Sequence, residues 1–162
     1  MILHIYTIIH VLISLVAIFT GFVVVFGLLA GERLDRRTKW FLVTAVATTI
    51  TGFFFPFHGF TPAIGLGIIS LPFLALTIFA RYSKRLAGPW RWIYVIGAVI
   101  CLYFNLFVLV VQLFEKVSAL HAMAPTQTEP PSKLTQLVVL LVSALLAIIA
   151  AIRFHTEPAH VA

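Results

Sequence analysis

Thr51-Gly-Phe-Phe-Phe-Pro-Phe-His-Gly-Phe-Thr-Pro62 lies between two apolar runs, carries no formal charge and sets His58 among five phenylalanines. Proline and glycine both end helices and permit a reversal, so a chain entering this stretch as one helix leaves it as another. The stretch reads as a tight hairpin between two transmembrane helices, with His58 at its tip.

The surrounding composition supports that reading. Apolar residues make up 62% of the 162 and charged residues 10%, with a mean hydropathy of +1.11. A soluble domain is about 45–50% apolar and about 25% charged. Lipid must therefore surround most of the chain. The formal charge of +6 does not point to nucleic acid, because the basic residues form no stripe and sit in short gaps between apolar runs. The single Cys101 has no partner within the chain for a disulfide or a cysteine-based metal site.

Working outward, the apolar runs predict five helices at about residues 3–30, 40–57, 63–80, 93–114 and 134–152, forming a single membrane domain. The first run is too long for the apolar core of a signal peptide, and no Lys or Arg precedes it, so it reads as a retained span. The segment Ala124-Pro-Thr-Gln-Thr-Glu-Pro-Pro131 cannot be helical throughout. The expected fold is an all-α transmembrane bundle.

Lysine and arginine orient it. Arg33, Arg36, Arg37 and Lys39 follow the first run, and Arg81, Lys84, Arg85 and Arg91 follow the third. Arg153 follows the fifth, and only Lys116 and Lys133 fall on the other side. This bias places the N-terminus outside and the C-terminus in the cytoplasm of a bacterial-type inner membrane. Trp40, Trp90 and Trp92 all fall at the same basic boundary, as an interfacial aromatic belt would.

That orientation collects His4, His10, His58 and His121 on the outer side, where neutral imidazoles could hold a transition metal or haem b. His4 and His10 are six residues apart, about 120° around a helix, and cannot face one point. His10 with His58 or His121 is the better pair. Asn105, Gln112 and Glu115 share one face of the fourth span, and Thr44, Thr48 and Thr51 line the second, with Ser14 one turn below His10. A quinone or other small ligand held by Asn105 and Gln112 fits such a seam; so does plain interhelical hydrogen bonding. No Asp, Glu, Lys or Arg lies mid-span, which weighs against ion-coupled transport. No phosphate loop, nucleophile elbow or zinc-protease motif points to an enzyme.

Phe60-Thr-Pro-Ala-Ile-Gly-Leu-Gly-Ile-Ile-Ser-Leu71, Ala80-Arg-Tyr-Ser-Lys-Arg85, Trp90-Arg-Trp-Ile-Tyr94 and the 124–131 segment resemble patterns in small bacterial multi-pass membrane proteins of unknown function, over roughly residues 40–131. The resemblance implies helices joined by an F-[ST]-P turn and basic loops, and no activity. Such proteins often carry a histidine in the helix after the turn, whereas 63–80 has none. Three functions stay open: a structural or accessory protein that packs against a membrane partner or a second copy, a haem- or metal-binding redox protein, and a passive channel or carrier.

Overall fold

The computed structural model describes residues 1–56, 59 and 61–155. The described chain is all-helical: α1 (Ile2–Leu29), α2 (Asp35–Gly52), α3 (Pro62–Ile78), a π turn (Phe79–Ser83), α4 (Trp90–Lys116), α5 (Ser118–Met123) and α6 (Pro130–Arg153). Four helical stretches are long and apolar enough to cross a membrane: α1, α3 with its π turn, α4 and α6. His58, at the tip of the expected hairpin, lies outside the described residues.

Local chemistry explains where the helices stop. The first ends in a Schellman arrangement, in which Gly31 N–H donates to Leu28 O (3.1 Å) and Glu32 N–H to Gly27 O (2.8 Å). Gly31 has φ +79°, a conformation glycine adopts without steric cost. The second helix begins at Asp35, five residues before the Trp40 start expected from hydropathy. Its first turn is charged but helix-compatible, and an acid at the first position suits the helix dipole. It stops at Gly52, short of Pro56. In α3, the Thr61 side chain caps Ile64 N–H at 3.3 Å and Pro62 occupies the first turn, where its missing N–H removes no helical bond. Pro130 and Pro131 open α6 in the same manner.

Consecutive long helices pack side by side, and α4 is the hub, touching α1, α3, α5 and α6. The principal core gathers at the basic end, where the loops 30–34 and 84–89 lie. Val24, Val25 and Leu28 of α1 meet Phe41, Leu42 and Ala45 of α2, with Tyr94, Val95, Ala98 and Leu102 of α4. A smaller cluster at the hairpin end joins Val110 and Phe114 to Ala124. Glycine makes the basic-end packing possible at two places. A Cβ at Gly97 would lie 2.2 Å from Thr77 Oγ1, and one at Gly21 would lie 2.8 Å from Leu102 Cδ1 and 2.9 Å from the Phe41 ring. Such small residues let helix backbones approach closely, the main source of helix association in lipid. By contrast, no residue before Ala17 is fully buried in α1.

Candidate functional site

Two polar clusters stand at opposite ends of the bundle. At the hairpin end, α1 presents Tyr6 and His10 one turn apart to the last turn of α2. The Tyr6 hydroxyl donates to Thr51 O, and His10 Nδ1 lies 2.8 Å from Thr51 Oγ1. Phe55 closes the group, its ring edge-on to both Tyr6 and His10 with centroids 5.0 Å away. Gly52 keeps the approach open, for a Cβ there would already touch His10 Cε1 at 3.7 Å.

The hydrogen-bond count assigns the histidine tautomer. Thr51 has one hydroxyl hydrogen, and Ala47 O accepts it at 2.7 Å. Towards His10 the threonine oxygen can then only accept, so Nδ1 carries the proton and Nε2 keeps its lone pair. An imidazole whose second nitrogen is held by an oxygen is the arrangement that orients a ligating histidine.

The other sequence-predicted residues do not join this group. His4 and His121 are exposed. Asn105 turns its amide back onto Cys101 O of its own helix at 2.9 Å. Gln112 is exposed and reaches only Glu115, at 3.5 Å. Of the expected threonine stripe, Thr44 bonds Trp40 O at 2.7 Å, and Thr48 Oγ1 is buried with no partner among the described residues. It is Thr49, outside the stripe, that reaches α3, 3.3 Å from Ser70 Oγ. Among the described residues, no three His, Cys, Asp or Glu side chains are grouped to hold a metal ion.

At the basic end the structure holds a charge that hydropathy assigns to a loop. Arg81 lies in the π turn that prolongs α3 and is 3% exposed. Its Nη2 donates to Asp35 Oδ1 and, at 3.1 Å, to Arg33 O. The guanidinium lies 4.9 Å from the centroid of the buried Tyr94 ring, a cation–π contact in a desolvated setting. The Tyr94 hydroxyl in turn meets Thr38 Oγ1 at 3.2 Å. One arginine thus ties the start of α2, the end of α3 and the first turns of α4 together. Its Nη1 has no partner among the described residues. The one sequence signal for it was Asp35, one of two acids among the basic loops; burial of its partner was not legible.

Gln136, and the contact that Arg91 makes with α6, were not read from the sequence. Gln136 Nε2 donates to Phe107 O at 3.1 Å, and Arg91 donates to Ala151 O at 3.4 Å and to Phe154 O. These bonds clamp α6 to α4 at both ends. An amide in an apolar span has to find such a partner, which is the signal that could have found Gln136.

Comparison with protein-family models, curated proteins and solved structures finds no match for this chain.

The Arg81 network makes an asymmetric prediction. Asp35→Asn leaves a buried guanidinium uncompensated and should cost about 1–3 kcal/mol, less than a fully buried pair because Asp35 faces water. Arg33→Gln, which removes an exposed ion pair with the same aspartate, should cost under about 1 kcal/mol. Thermal unfolding of the full chain in detergent measures both; equal losses would show that the Arg81 contact contributes nothing particular.

Proposed function

We propose that this protein works by helix packing, as a structural or accessory component of a membrane complex, with α6 as its docking face. One observation carries the reading. On α6, Leu134, Val138, Leu141, Leu145, Ile148 and Ile152 recur at alternating four- and three-residue spacing and are 56–59% exposed. That is the spacing of a knobs-into-holes seam. The helix is held rigidly by Gln136 and Arg91 on its opposite side, so the strip is presented in one orientation. The occupant of the strip is a transmembrane helix, supplied by a partner subunit or a second copy of the chain.

Photocrosslinking tests this directly. A photoreactive residue at position 141 or 145 should give discrete protein adducts in native membranes, whereas one at Ile68 of α3 should give lipid adducts alone. Lipid adducts from all three positions would sink the docking face.

The same reading places the chain in a bacterial-type inner membrane with five crossings, N-terminus outside and C-terminus cytoplasmic. The α2 helix is the fifth crossing. At 18 residues it measures about 27 Å, with its charged first turn at headgroup level. The support is the nine basic residues gathered at one end of the bundle, against Lys116 and Lys133 at the other. Cysteine at position 59 should label from outside and cysteine at 87 from the cytoplasm. Labelling of both from one side would refute the hairpin, and labelling of a cysteine at position 31 from the same side as one at 59 would remove the α2 crossing.

A second reading rests on His10, whose Nδ1 is engaged by Thr51 and whose Nε2 is left as a Lewis base. It makes the protein a haem- or metal-binding redox component with His10 as one ligand, and of the expected companions it keeps only His58, which lies outside the described residues. The purified protein should then show a Soret band or stoichiometric metal that His10→Ala abolishes. A colourless, metal-free preparation from cells grown with haem and iron would end this reading.

A further inference from the structure

The turn between α1 and α2 borders an open groove of about 400 Å³, lined by Val23, Phe26, Gly27, Ala30, Glu32, Leu34 and Arg37. We propose that this groove binds a phospholipid whose headgroup carries both a phosphate and a primary ammonium, a phosphatidylethanolamine. The proposal goes beyond the docking role of α6 and requires only that α1 cross a membrane.

The argument begins with the charges. Glu32 and Arg37 line the same groove, yet no ion pair joins them among the described residues. Of the neighbouring charges, Arg33 and Arg81 both bind Asp35, and Arg36 and Lys39 do not line the groove. The groove therefore offers one carboxylate and one guanidinium, each without a charged partner, over an apolar floor. A zwitterion with hydrogen-bond donors at its positive end satisfies both. The guanidinium takes the phosphate oxygens through paired N–H donors, and the carboxylate accepts from the ammonium. A choline headgroup has no N–H to donate, and a glycerol headgroup has no positive charge, so each leaves Glu32 unanswered.

The groove is also built rather than incidental. The Schellman bonds at Leu28 O and Gly27 O hold Gly31 and Glu32 in place. Leu34 sits over Gly27 so closely that a Cβ there would be 2.3 Å from Leu34 Cδ1. Below the groove, Phe26 and Phe19 are seven residues apart on one face of α1 and are 58% and 69% exposed. That face leads from the headgroup level into the hydrocarbon region, where an acyl chain can lie along it.

Native mass spectrometry of the full-length protein, titrated with phosphatidylethanolamine, phosphatidylcholine and phosphatidylglycerol of identical acyl chains, tests the assignment. The ethanolamine lipid should bind roughly threefold to tenfold more tightly than either rival, the scale of one partly exposed charge-assisted hydrogen bond. Glu32→Gln should erase that preference, and Glu32→Lys should transfer it to phosphatidylglycerol. Arg37→Gln should weaken the ethanolamine and glycerol lipids alike. Both side chains are exposed, and an unchanged thermal midpoint confirms that each variant is folded. Equal binding of all three lipids by the wild type, tighter binding of phosphatidylglycerol, or a preference that survives Glu32→Gln would overturn the proposal.

Discussion

A guanidinium cannot be left alone in an apolar interior, and the basic half of this bundle is arranged around that constraint. Arg81 stands at the end of a membrane-length helix, 3% exposed, where an unpaired charge would cost several kcal/mol. Asp35, Arg33 O and the Tyr94 ring answer it from three separate segments. Asp35 meets it only because α2 starts there and not at Trp40. Tyr94 meets it only because Gly97, one turn further along α4, lets α3 come close. Helix start, helix contact and ion pair are therefore one arrangement.

The two ends of the molecule consequently differ in kind. The basic end is tightly packed about glycine and alanine and is tied by charge. At the hairpin end the first four turns of α1 contain no fully buried residue, and a few hydrogen bonds and aromatic edges hold them to α2. Local opening is cheapest where few buried contacts resist it. A ligand or partner entering the bundle would thus meet least resistance beside His10 and most at the basic end.

Much of this was legible in the chain. The all-helical class, the apolar helices and the charged turns follow from composition and run length, because lipid admits no unsatisfied backbone. His10 was identified as the histidine within a span, and the structure gives it a defined partner in Thr51. Its expected companions were less legible. Asn105 and Gln112 do share a helix face, but a shared face says nothing about what stands opposite, and Asn105 satisfies itself on its own backbone. The burial of Arg81 was not legible because hydropathy ends α3 at the first charge, while the π turn carries the helix past it to Ser83.

The sequence by itself determined that the chain is helical and apolar, where its turns fall and at which boundary its positive charge gathers. Each of these depends only on a residue's own preference for lipid, water or a turn. The tertiary structure decided which face of each helix turns inward, and hence the closure of Thr77 on Gly97, the burial of Arg81 and the outward strip of α6. In a soluble protein, polarity would reveal that choice. Here lipid and protein interior are equally apolar, so only steric fit and the few polar side chains that must find partners distinguish one face from another.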